Sequence, residues 1–211
     1  MKIKTGFLIL VILLGLFLLN KPLYSQSFHG GPLLGFSATQ VDGDTQSGFN
    51  KFGGIIGGFV NQKLSENIKL QFELKYIQKG SRQSAKPANG YQSWKIALNY
   101  VEIPLLVKYS FNENRKKLKN FVPEAGLAVS YLTNYSYSDQ NGQYNNLIKD
   151  NYHKFDYGIL AGISYKLGEK LSVNLRYSYS ILSVYEPKYP INPIYKGQFN
   201  KVLAFTANYQ F

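Results

Sequence analysis

The feature that most constrains this chain is alternation. Across the second two thirds of the sequence, apolar and polar side chains exchange places at every second position. In 203–211, Leu203, Phe205, Ala207, Tyr209 and Phe211 alternate with Ala204, Thr206, Asn208 and Gln210. In 173–181, Val173, Leu175, Tyr177, Tyr179 and Ile181 alternate with Asn174, Arg176, Ser178 and Ser180. The same period runs through 68–79, 99–109, 121–133 and 155–167. Successive side chains leave a β-strand on opposite sides, so period two marks strands with one apolar face. Two earlier segments, 31–40 and 50–61, are strand-like but glycine-rich, and their facing is open. No 3.6-residue pattern competes, and no second domain has room between the strands.

Eight segments of about 10–14 residues exceed the usual strand of about 5–6, and match tilted strands crossing a bilayer. The connections alternate in length. Those at 62–67, 111–119 and 168–170 are short, and those at 41–49, 81–94, 134–152 and 186–197 are long. Short turns on one side and long loops on the other characterise outer-membrane barrels, with both termini on the periplasmic side.

Alternation alone does not say which face lies inside. The polar face carries Glu73, Lys75, Glu102, Lys108, Glu124, Asp156 and Arg176. In a water-soluble, lipocalin-like carrier these charges would point out. In a membrane barrel they point into the lumen. Two features favour the membrane. Tyr76, Tyr109, Tyr131, Tyr165 and Tyr209 cluster near strand ends, as an interfacial girdle requires. The apolar face of the last strand also runs through Tyr209 to Phe211, which resembles the signal read by the barrel assembly machinery. The expected fold class is all-β: an eight-stranded antiparallel up-and-down transmembrane β-barrel.

Residues 1–25 read as a cleaved secretory signal peptide: Lys2 and Lys4, an apolar run from Phe7 to Leu19, then the small Ser25. The barrel domain is then 26–211, exported to the cell outer membrane. The chain has 24 basic and 12 acidic residues, a formal net charge of +12. For an exported chain this points to anionic lipid rather than nucleic acid. With no cysteine and only two histidines, cysteine-based metal sites, thiol nucleophiles and histidine metal centres have no residues to build on.

The remaining candidates for chemistry are sparse. His153, with Ser180 or Ser183 and Asp150 or Asp156, could form a lipid-modifying hydrolase centre, but no spacing is specific for it. Asp42-Gly43-Asp44 lacks the further ligands of a calcium loop. No catalytic residue, metal or cofactor is assigned. Glu73, Lys75, Glu102, Lys108, Glu124 and Arg176 form the expected lumenal polar network, since a buried carboxylate needs a cationic partner. Tyr137, Tyr144, Tyr185 and Tyr189 are candidate binding residues on outer loops, because tyrosine makes good recognition surface. Pro104, without a ladder donor, predicts a bulge or a broken pairing. The basic turn 112–119 and the outer loops are places for a periplasmic or surface protein partner.

Asn99-Tyr100-Val101-Glu102-Ile103-Pro104-Leu105-Leu106-Val107-Lys108-Tyr109 resembles a strand motif of PorT-like outer-membrane β-barrel proteins of Bacteroidota. That resemblance implies the eight-stranded barrel and the outer membrane. It also implies a role in protein secretion, and the chain as a whole reads as a non-enzymatic protein with a structural or binding role, accessory to protein secretion or surface assembly. The alternatives are an outer-membrane lipid-modifying enzyme and a soluble periplasmic carrier.

Overall fold

The computed structural model describes residues 28–43, 48–112, 118–139, 152–185 and 197–211. The segments assigned to the signal peptide and to Asp44, Tyr144, Asp150 and Tyr189 lie outside the described residues. Eight strands follow one another: β1 (Phe28–Asp42), β2 (Lys51–Lys63), β3 (Ile68–Gln83), β4 (Trp94–Tyr109), β5 (Phe121–Asp139), β6 (Phe155–Lys166), β7 (Leu171–Ser180) and β8 (Phe199–Tyr209). Each pairs antiparallel with its neighbours in sequence, and β1 closes on β8 from Leu33↔Asn208 to Asp42↔Phe199. The fold is a closed, all-antiparallel eight-stranded barrel, and closure leaves no unpaired edge.

Alternation decides the facing of every strand. On β4, Ile103, Leu105, Val107 and Tyr109 are exposed on the outside, while Glu102, Leu106 and Lys108 are buried in the lumen. The outer wall continues through Leu127, Val129, Ile159, Ile163, Leu175, Leu203 and Phe205. An apolar wall of this extent has only a bilayer as its solvent. Aromatic pairs rim it at both ends. Tyr109–Phe111, Phe121–Tyr165 and Tyr209–Phe211 lie at the end of the short turns, with ring centroids 5.3, 4.9 and 5.7 Å apart. Tyr131–Phe155 and Tyr179–Phe199 lie toward the other end, at 5.4 and 5.9 Å. Tyr76 differs from the other girdle candidates in being only partly exposed.

The glycine-rich strands, ambiguous in sequence, have a clear facing. Gly35 of β1 and Gly57 of β2 point inward, on the side of buried Leu33, Ser37, Ile55 and Phe59. A Cβ on Gly35 would stand 2.1 Å from the Phe205 carbonyl oxygen, and one on Gly57 2.3 Å from that of Leu74. Neighbouring backbones pass there too closely for any side chain, which allows the tight coiling a small barrel needs.

Two long outer connections are shorter than expected, because the strands run on. β3 and β4 continue to Gln83 and Trp94, joined by residues 84–93 with a 3-10 segment at Pro87–Asn89. β5 continues to Asp139. A register shift opposite Asn99/Tyr100 interrupts β5: Tyr100 pairs with Leu132, whereas Asn99 pairs with Asn134. The extra residue, Thr133, reverses the parity of the rest of β5. Tyr137 is therefore not a loop residue. It pairs with buried Ile96 and packs against the core cluster. Pro104 keeps its pairing with Ala128 of β5, while toward β3 the register passes from Phe72↔Leu105 directly to Lys75↔Glu102.

Candidate functional site: the lumen

The lumen is the one place where chemistry-bearing side chains converge among the described residues. It has two zones. Toward the outer end, Val41, Ile55, Ile77, Ile96, Leu98, Tyr100 and Val202 form a buried apolar cluster, which Leu33 extends toward the short-turn end. Trp94, Leu132, Tyr135, Tyr137 and Tyr185 pack against it. Tyr152 packs between Tyr135 and Tyr185 at tilted angles, with centroids 5.0 and 4.8 Å away. Tyr185, expected on an outer loop, is half-buried and bridges to Tyr152 and Gln198.

Below this cluster lies a ladder of ion pairs. Lys79 Nζ stands 3.0 Å from Asp156 Oδ2 and 2.7 Å from Glu102 Oε2. Glu102 Oε1 meets Lys75 Nζ at 3.1 Å, and Lys75 reaches Glu73 Oε2 at 3.4 Å. Arg176 grips Glu73 with two parallel hydrogen bonds, Nη1 to Oε2 at 2.8 Å and Nη2 to Oε1 at 3.0 Å. Its Nε donates to Glu124 Oε1 at 2.7 Å, and Lys108 meets Glu124 Oε2 at 3.0 Å. The sequence of charges is Asp156, Lys79, Glu102, Lys75, Glu73, Arg176, Glu124, Lys108. Signs alternate throughout, with four of each, so the chain of pairs is neutral.

Neutral side chains meet most of the remaining valences, whereas Asp156 Oδ1 is buried without a hydrogen-bond partner among the described residues. Ser130 donates to Glu102 at 3.0 Å, Gln71 to Glu73 at 2.7 Å, and Asn174 and Ser164 to Glu124 at 2.7 and 3.1 Å. The Lys79 ammonium also sits 4.8 Å above the Tyr100 ring, which joins the ladder to the apolar zone. Pairing and hydrogen bonding of this kind offset the cost of burying a charge, and the bidentate arginine is the strongest form of such a pair.

The strands bring these groups together from long sequence separations. Glu73 and Arg176 lie on β3 and β7, nearly opposite across the barrel, and Arg176 spans the lumen to join them. Glu73, Lys75, Glu102, Lys108, Glu124 and Arg176 all lie in this ladder. Lys79 belongs to it as well, and sequence reasoning did not single it out. It is the last residue of the expected strand 68–79, beyond the point where Ile77 and Gln78 break the alternation.

The hydrolase candidates are arranged differently. The Ser183 hydroxyl donates to the Tyr185 carbonyl at 2.7 Å and accepts from the Gln198 amide at 3.0 Å. Ser180 accepts from the Asn200 amide at 3.0 Å inside the barrel. Asp156 is committed to Lys79 and Asn200. His153 and Ser183 share an outer-rim cleft, yet the hydroxyl serves the backbone. Asp42, from the supposed calcium turn, pairs with Lys201 at 2.9 Å, and no cluster of metal-ligating side chains occurs among the described residues.

A family model described as outer membrane protein beta-barrel domain matches residues 24–186. The attachment invasion locus protein of Yersinia pestis, solved in complex with the heparin analogue sucrose octasulfate, is similar with a TM-score of 0.49 and 12% identity, over 88% of this chain and 99% of that one. Neisserial surface protein A is similar with a TM-score of 0.46 and 14% identity, over 89% and 100%. The outer membrane protein W of Escherichia coli has a TM-score of 0.34 and 15% identity, over 86% and 98%. No curated protein matches the chain. A closed barrel with a lipid-facing apolar wall, matched by the family model over most of its length, leads to one conclusion: the chain belongs to the outer membrane protein beta-barrel domain family and is an outer-membrane β-barrel protein.

Proposed function

We propose that this protein is a closed, non-enzymatic outer-membrane barrel with a structural or binding role, accessory to protein secretion or surface assembly. One observation carries the closed, non-enzymatic part. Every member of the ion-pair ladder is almost wholly shielded from solvent, and the apolar cluster caps it, so the described lumen is filled across its section. An eight-stranded barrel has an interior just wide enough for side chains to fill. Such a lumen leaves no path for a solute, and its carboxylates are committed to cations.

The accessory role rests on the strand motif around Glu102-Ile103-Pro104 and its resemblance to PorT-like proteins. In this reading β8, with Tyr209 and Phe211 outward, engages the barrel assembly machinery. The apolar wall meets outer-membrane lipid, and the two ends are left to contact periplasmic or surface proteins.

The test is conductance. The refolded barrel, inserted in a planar bilayer, is expected to give no stepwise opening at moderate voltage. Stable ohmic steps would overturn the closed reading. Deletion in the native cell is expected to lower the extracellular level of secreted proteins while leaving outer-membrane permeability to small antibiotics unchanged. A permeability change without a secretion defect would overturn the accessory reading.

A further inference from the structure

The end of the barrel that carries the short turns opens into a vestibule of about 740 Å³. Lys69, Lys108, Lys119, Lys166 and Lys170 line it, and Glu169 is its one carboxylate-bearing residue. Lys108 is tied to Glu124 on the floor. None of the other four lysines lies within ion-pair distance of a carboxylate among the described residues.

The backbone register sharpens the point. Lys69 on β3 stands directly opposite Lys63 on β2 and directly opposite Lys108 on β4. Like charges facing each other across a ladder destabilise a sheet. Lys63, Lys108 and Lys166 all repel the Lys69 ammonium. The contrast with the floor is sharp, because just above this vestibule every buried charge has an opposite partner. A concave, low-dielectric mouth lined by one sign of charge concentrates counter-ions of the other sign.

We propose that this vestibule is a binding site for a small multivalent phosphate-bearing anion. Lys69 and Lys166 on the wall and Lys119 and Lys170 on the turns supply the charge. Their four ammonium groups come from three separate turn regions of the barrel, so they surround the ligand instead of forming a flat patch. Asn61, on the wall, adds neutral polar contact. The phosphate groups can come from a free periplasmic solute or from a phospholipid headgroup at the inner rim of the membrane.

The test uses the full barrel in phosphatidylcholine nanodiscs, titrated calorimetrically with tripolyphosphate. Saturable binding is expected, weakened about tenfold or more in the double variant Lys69→Gln/Lys166→Gln, since about 1.4 kcal/mol corresponds to tenfold. Lys170→Gln, in an exposed turn, is expected to weaken binding less and keeps the test valid if the double variant fails to fold. Lys201→Gln, at the opposite end, is expected to leave binding unchanged. Repeating the titration with phosphatidylglycerol in the nanodisc separates the sources. Competition by the lipid assigns the site to a headgroup, and unchanged affinity assigns it to a free anion. Absence of saturable tripolyphosphate binding, or equal affinity in the vestibule variants, overturns the proposal.

Discussion

Three lysines on the inner face of β3 live in two different electrostatic worlds. Lys75 and Lys79 each sit between two carboxylates, 2.7 to 3.4 Å away. Lys69, six residues before Lys75 on the same strand, faces Lys63 and Lys108 in the register. The difference is one of neighbours, since residue type, strand and facing are the same. In the middle of the lumen the charges are buried, so each needs an opposite charge and the set closes to neutrality. At the vestibule, water and solute ions reach the ammonium groups, so the structure tolerates repulsion that the middle could not. The ladder holds the barrel together. The vestibule lysines add little to stability and are available for binding.

That contrast can be broken most forcefully at Arg176, the centre of the ladder. Arg176→Met leaves Glu73 without its bidentate partner and deprives Glu124 of one of two cations. Removing one side of a buried pair costs about 3–5 kcal/mol. Urea unfolding of the barrel refolded into lipid vesicles should show a loss of that size. A loss below about 1 kcal/mol would mean that the pairs are incidental.

Gly57→Ala tests the wall instead of the charges. Its Cβ would collide with the Leu74 carbonyl and the Lys75 backbone, so overpacking of about 1–3 kcal/mol is expected in the same assay. Glu102→Gln is milder in a different way, because Lys75 keeps Glu73 and Lys79 keeps Asp156. The expected loss is about 1–3 kcal/mol, and it should shrink if Lys75→Gln is added, since the double variant restores neutrality while Lys79 keeps Asp156 and Glu73 keeps Arg176. The smallest effect has the opposite sign. Lys69→Gln relieves cross-strand repulsion and should stabilise the barrel by about 0.2–1 kcal/mol. High salt should erase that gain, because the vestibule charges are screened and the ladder charges are not.

Much of this architecture was legible in the sequence. Uninterrupted alternation in 99–109 puts Glu102 and Lys108 on one face and Ile103, Leu105 and Val107 on the other, whatever the surroundings. The lumenal assignment of the charges then needs only the bilayer, which aromatic strand ends and uneven connections indicate. The features that escaped did so for physical reasons. Thr133 is an extra residue whose effect on parity depends on its partner strand, so Tyr137 looked like a loop residue and is instead an inward-facing strand residue. Lys79 escaped because apolar Ile77 shares its face and polar Gln78 the opposite one, so the alternation breaks after Tyr76. Gly35 and Gly57 carry no side chain to alternate, so only close backbone approach reveals their facing. The ladder's pairing order is not in the pattern either, since which lysine meets which glutamate depends on strand stagger around the closed barrel.

The most direct test compares Lys75→Gln with Lys69→Gln in the same vesicles. Both exchange one inward-facing lysine of β3 for a neutral side chain of similar length, and the urea midpoint is read for each. The account predicts a clear fall for Lys75→Gln and an unchanged or raised midpoint for Lys69→Gln. Equal falls in the two variants would contradict it, because the vestibule lysines would then be as structural as those of the ladder.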